Sequence, residues 1–165
     1  MNRLGILGVL MLVVASLVVI VHAQGTPVAL VDPRPGQAVF NANCVACHQV
    51  TGAGIPGVFP PLKGHVPALL AVDGGRRYLV DVVLFGLAGP IDVEGQLFDS
   101  IMPPWAHLSD SQLADVLNYV VTAWDNGLLL EPGFVAYTPE EVLGVRIDAY
   151  DSTAVHDARA LLDLE

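Results

Sequence analysis

Apolar residues in this chain recur at helical spacing in several separate stretches, with prolines and glycines marking the breaks between them. Leu113, Val116, Leu117, Val120, Val121 and Trp124 share one face of a helix predicted over 110–124. Ser109 is a good N-cap for it, and Gln112 completes a capping box. Upstream, Pro35 suits the first turn of a helix over 35–44. Gly36, Phe40 and Cys44 fall on one of its faces. The glycine lets another helix come close, and Phe40 is expected to meet Tyr119 of the 110–124 helix. Residues 49–61 read as loop, because Gly52, Gly54, Pro56, Gly57, Pro60 and Pro61 interrupt any regular element. A short helix over 66–72 ends at Gly74-Gly75. The next, over 76–85, carries Tyr78, Leu79, Val82, Val83 and Leu84 as a broad apolar stripe, and Gly86 suits its C′ position. Ile91-Asp92-Val93 and Gln96-Leu97-Phe98 alternate about Glu94-Gly95, which predicts a hairpin. After an irregular stretch over 128–137, Thr138-Pro139-Glu140-Glu141 starts another helix, and a last one begins at Asp151 or Ser152 and runs to about Leu162.

These elements predict an all-α fold with one small hairpin. Residues 24–34 read as a linker, 35–130 as one domain, and 131–165 as a helical extension. The extension holds eight acidic residues and two arginines, has no motif of its own, and is too short to build a secure core alone. It is therefore expected to clasp the preceding domain.

The N-terminus changes the picture of location. Asn2 and Arg3 precede eighteen uncharged, mostly apolar residues, from position 4 to 21, and Val21-His22-Ala23 offers a site for signal peptidase. Residues 1–23 read as an export signal cleaved before Gln24. The run is also nearly long enough to span a bilayer, at about 20 residues, so an uncleaved anchor is the alternative. Both place the remainder outside the cytoplasmic membrane, in a periplasmic or equivalent compartment. The chain has 165 residues and a formal charge of −10, which becomes −11 when Arg3 is lost with the signal. Such a surface repels nucleic-acid phosphates and permits steering toward a partner with a basic patch.

The chemistry concentrates at Cys44-Val45-Ala46-Cys47-His48, which holds the only two cysteines. Two thiols at this spacing, followed at once by histidine, suit covalent attachment of haem, with the imidazole placed to bind the iron. A redox dithiol wants a βαβ pattern around it, and none is visible. Structural zinc needs four ligands; His65 and His107 would have to supply two, without the usual paired spacing. A disulfide across so short a loop stabilises little. Met102 is the only methionine beyond the N-terminal run, and it lies on a proline-stiffened loop 54 residues after His48. A thioether there is a candidate second axial ligand, and Met/His ligation raises the potential of the iron. Arg76, Arg77, Tyr78 and Trp105 are candidate donors to the haem propionates. His65, His107 and His156 read as surface or loop residues.

Gly36, Phe40, Cys44, Cys47, His48, Pro60, Met102 and Tyr119 together resemble the pattern of class I cytochromes c in order and spacing. More closely, the chain is similar to the soluble Thermus-type members, through Cys-Val-Ala-Cys-His-Gln, Gly54-Ile-Pro-Gly-Val-Phe-Pro-Pro-Leu62, Gly64-His65-Val66, Gly74-Gly75-Arg76, Thr122-Ala123-Trp124 and Thr138-Pro139-Glu140-Glu141-Val142. The resemblance spans residues 36–162, including the extension. It implies one haem c, thioethers at Cys44 and Cys47, axial His48 and Met102, and the Pro60 carbonyl accepting from His48. It also implies one-electron transfer between respiratory-chain proteins, with a haem–copper oxidase or a quinol-oxidising complex as candidate partner, rather than enzymatic turnover. Lys63 is the only lysine, so lysine-based docking is not open to this surface. Two other readings stand beside this one. An open haem site would act as a peroxidase or gas sensor, and an attached cytochrome would serve a membrane dehydrogenase complex.

Overall fold

A proline at its first position and an aspartate just before it start the first helix. In the computed structural model, which describes residues 25–148 and 150–164, α1 spans Pro33–Asn43. The Asp32 carboxylate accepts from Arg34 N at 3.0 Å, so the helix begins two residues before the predicted Pro35 start. The expected signal at 1–23 lies outside the described residues.

Of the next four helices, all but the first follow the predicted order closely. A single turn, α2, covers Val45–His48. Then come α3 (His65–Leu70) and α4 (Gly75–Phe85). Strands β1 (Ile91–Val93) and β2 (Gln96–Phe98) pair antiparallel, with Ile91 opposite Phe98 and Val93 opposite Gln96. Glu94 and Gly95 both take positive φ, 56° and 79°, which is the backbone a two-residue hairpin turn requires. Helix α5 (Asp110–Thr122) carries the capping box: Gln112 N donates to Ser109 Oγ at 3.2 Å and Ser109 N to Gln112 Oε1 at 3.0 Å. It ends two residues before the predicted Trp124. Trp124 adopts φ 53° and turns its indole to donate to Val50 O at 2.9 Å, which ties the end of α5 to the loop after α2.

Helices α1 and α5 cross at Gly36. A Cβ there would lie 2.0 Å from Asp115 O, so only glycine permits the approach. One turn on, Phe40 is fully buried, with its ring 5.4 Å from Tyr119 and 5.2 Å from Trp124. The larger core gathers Tyr78, Leu79, Leu84, Leu113, Leu117 and Val121 with residues of the last two helices, α6 (Pro139–Arg146) and α7 (Ser152–Arg159). Val142 and Val155 from those helices have no exposed surface.

The C-terminal extension is therefore part of the same core, and arginines fasten it. Arg76 makes a two-pronged ion pair with Glu141 (both 2.7 Å), donates to the carbonyls of Val135 and Ala136, and stacks 4.1 Å over Tyr137. Arg146 pairs with Asp110 at 2.8 Å and reaches the carbonyls of Ala106 and Leu108. The segment expected to be a plain linker is also fastened. Val28 is buried and donates to Phe134 O at 3.0 Å, and Ala136 N donates to Thr26 O at 2.8 Å. The sequence does not reveal this contact, because its partner segment, residues 134–136, lies more than a hundred residues away. Among the described residues, no helix is long and apolar enough to cross a membrane.

Candidate functional site

Cys44 stands where α1 hands over to α2. Its N–H donates to Phe40 O at 2.8 Å, and Cys47 N and His48 N both return to Cys44 O, at 3.2 and 3.0 Å. Gln49, at φ 61°, then turns the chain into the glycine-rich loop. This tight geometry places both thiols and the imidazole in the wall of one cleft. The lining of this cleft is overwhelmingly apolar, as the site of a large, mostly apolar ligand requires.

His48 is buried, and its Nδ1 lies 3.1 Å from Pro60 O. A carbonyl only accepts, so the proton sits on Nδ1 and Nε2 keeps its lone pair. Burial also holds the imidazole below its usual pKa, against the opposing pull of the Pro60 bond. The ring is thus neutral, oriented, and ready to ligate a metal, with its second nitrogen held as metal-binding histidines require. Burial, with a contribution from Cys47, pushes the Cys44 thiol up to about 11. A thiol so protonated is a poor nucleophile at neutral pH. The zinc reading fares no better. Among the described residues, no three His, Cys, Asp or Glu side chains gather as a metal site.

Met102 lines the same cleft, half-buried against the larger core. Its backbone is held on both sides by Leu87, with Met102 N donating to Leu87 O at 2.9 Å and Leu87 N to Met102 O at 3.0 Å. Gly86, at φ 77°, allows the contact: a Cβ there would fall 2.5 Å from Met102 O. Trp105 N donates to Val83 O at 2.9 Å, fixing the far end of the same loop. Of the residues singled out from sequence, the structure brings Cys44, Cys47, His48, Pro60, Tyr78, Met102 and Trp105 to one cleft.

Arg76, expected to serve a propionate, is not among the residues that line this cleft. Its guanidinium is consumed by Glu141, two carbonyls and the Tyr137 ring, outside the cleft lining. Arg77 is likewise spent on Asp81 and Asp148. The arginine that reaches the cleft is Arg159, from the extension. It is buried, and among the described residues no carboxylate lies within ion-pair distance of it. A buried cation without a counter-charge is costly. A porphyrin bearing carboxylates supplies what is missing, so this orphaned charge fits the group the cysteines point to. One signal in the sequence could have found it: Arg159 follows apolar Val155 by four residues and so shares its helical face.

Two other site residues escaped the sequence reading. Asn126 is fully buried and ties Gly64 N (2.8 Å), Leu62 O (3.2 Å) and Val120 O (2.8 Å), which fixes the chain entering α3. His65, expected at the surface or in a loop, is buried in the cleft wall, with Nε2 3.4 Å from Arg159 Nη2. His107 is exposed beside Trp105, and His156 Nε2 donates to Pro90 O at 2.8 Å.

Comparisons with known proteins agree with this geometry. The family model described as Cytochrome c matches residues 33–124. Cytochrome c-552 of Thermus thermophilus is 48% identical over 109 residues, covering 66% of this chain and 82% of that protein. The cytochrome c subunit of the quinone alcohol dehydrogenase of Gluconobacter oxydans is 34% identical over 103 residues, 61% of this chain but only 20% of that subunit. The gluconate 2-dehydrogenase cytochrome c subunit of Pantoea cypripedii is 30% identical over 97 residues, 58% and 21%. The resemblance to class I cytochromes c, their fold and their covalently bound haem c is borne out by these matches.

Proposed function

The chain belongs to the cytochrome c family, and from that premise we propose that it is an exported single-electron carrier whose haem is held by Cys44, Cys47, His48 and Met102. The observation that carries the site assignment is the His48–Pro60 hydrogen bond. It leaves one nitrogen free in a cleft that Met102 also lines. The bound haem supplies reversible one-electron oxidation and reduction of its iron. The protein's part is to keep both ligands in place, to exclude water with the apolar lining, and to set the potential through the thioether and burial. Arg159, Tyr78 and Trp105 line the cleft and are the residues we propose to meet the propionates. Residues 35–130 form the haem domain, and 131–165 the extension that completes its wall.

Met102 is braced by Leu87 on both backbone faces, which favours a closed, six-coordinate iron over an open peroxidase or sensor site. The optical spectrum tests this. The ferric protein is expected to show the long-wavelength sulfur-to-iron charge-transfer band, and the ferrous protein to resist carbon monoxide. Absence of the band with ready carbon monoxide binding would instead establish the open site. Gly86→Ala probes the brace itself. Forcing a Cβ into φ 77° and against Met102 O is expected to weaken that band and to cost more than about 1 kcal/mol, read from urea unfolding.

The partner is proposed to be a respiratory redox protein, a haem–copper oxidase or a quinol-oxidising complex, outside the cytoplasmic membrane. Overlap with 82% of cytochrome c-552, against a fifth of the dehydrogenase subunits, favours a free carrier over an attached subunit. Residues 44–62 and 100–109 contain no Asp, Glu, Lys or Arg, although the chain as a whole is strongly acidic. They contribute the cleft rim and expose Val50, Ile55, Val58 and Ile101. Docking there relies on apolar contact, so the second-order rate of electron transfer is expected to change less than about threefold between 10 and 200 mM salt, where lysine-steered pairs slow much more. Stopped-flow kinetics with a candidate oxidase checks this.

A further inference from the structure

Arg159 is held in an unusual way for a buried guanidinium. Nη2 donates to the Asp92 carbonyl at 3.0 Å and faces His65 Nε2 at 3.4 Å. Among the described residues, Nη1 and Nε have no further protein partner beyond the neighbouring Tyr78 hydroxyl, and Arg159 lines the cleft. The imidazole belongs to the first residue of α3, the guanidinium to the last residue of α7, and the carbonyl to β1. Three elements distant in sequence thus converge on one side chain.

We propose that His65 is a positioning residue: its unprotonated Nε2 accepts from Arg159 Nη2 and, with the Asp92 carbonyl, turns the remaining N–H groups of Arg159 into the cleft to meet a haem carboxylate. This rests on the haem reading given above. An arginine N–H can only donate, so the contact requires the Nδ1–H tautomer of a neutral imidazole. Burial, and then the Arg159 charge, hold His65 down at about 4, so it stays neutral at working pH. The groups that face it are few. Arg159 comes from α7. Tyr78, from α4, is buried beside Arg159, with the guanidinium 5.8 Å from its ring, and burial pushes its phenol up. The hairpin offers only a carbonyl, because the Asp92 carboxylate is turned to Gly95 N at 2.8 Å.

The functional consequence is a fixed positive charge beside the haem. Held in place, it keeps the neighbouring propionate ionised and makes the reduction potential insensitive to pH. Released, it lets that propionate titrate within the working range, and the potential then follows pH.

Two measurements test the proposal on the intact haem protein. Nitrogen-15 NMR of the ferrous wild type is expected to show His65 with Nδ1 protonated and Nε2 bare, unchanged from pH 5 to 8. An Nε2–H tautomer, or titration within that window, overturns the proposal without any variant being made. The second is the midpoint potential against pH for His65→Leu, His65→Gln, Arg159→Gln and the double variant His65→Leu/Arg159→Gln. His65→Leu is expected to lower the potential and give it a pH slope, as Arg159→Gln does but less. The glutamine oxygen should restore most of the wild-type profile, and the double variant should go no further than Arg159→Gln alone. A His65→Leu profile that overlays wild type, or a double variant equal to the sum of the singles, contradicts it. A wild type with no haem wave at all would instead defeat the electron-carrier reading.

Discussion

Met102→His is expected to lower the reduction potential by roughly a quarter to a half of the ~0.8 V range that axial ligands span, with haem still attached. A thioether is a soft, weakly donating ligand that favours ferrous iron, whereas a second imidazole donates more strongly and favours ferric iron. The substitution tests position as well as chemistry, because the Met102 backbone is fixed by the paired bonds to Leu87. The long-wavelength charge-transfer band should vanish in the ferric variant, and voltammetry gives the shift. A potential that barely moves, with the band intact, would mean that some other sulfur reaches the iron. Met102 is the only methionine beyond the N-terminal run, so that result would remove the sixth ligand from the account.

The second large effect falls on stability. Phe40→Ala is expected to cost about 3–5 kcal/mol, against a total of about 5–15 kcal/mol for a domain of this kind. Phe40 has no exposed surface, packs between Tyr119 and Trp124, and lines the cleft from the side of α1. Its removal empties the seam between α1 and α5 at the point where Gly36 has already brought the backbones together, so little can collapse into the gap. Urea unfolding of the ferric protein measures the loss. A cost below about 1 kcal/mol would show that this aromatic seam does not hold the helices. Phe40→Leu, which fills part of the space, should recover about half.

Much of this was readable along the chain because it is encoded locally. The Ser109–Gln112 box, the Thr138 cap and the Glu94-Gly95 turn each act over three or four residues, and each stands where the spacing placed it. The cysteine pair and its histidine are likewise contiguous. What escaped depends on distant partners. Arg76 reads as a cleft residue until Glu141, 65 positions on, is seen to take its charge. Arg159 and His65 meet across 94 positions, and neither carries a mark of that contact beyond a helical face. Asn126 supports the entry to α3 through a backbone 62 residues away, and no local pattern marks it for that role. Local rules fix where elements begin and end; a buried charge or amide is specified only by the whole set of neighbours that make it tolerable.

Mass spectrometry of the peptide that carries residues 44–48, after the protein is unfolded and washed with acidified organic solvent, tests the central claim most directly. The account predicts a peptide heavier by one intact haem, bound through both Cys44 and Cys47, with the colour retained on the polypeptide. A peptide of unmodified mass, with free thiols or with the pigment in the solvent, would contradict it.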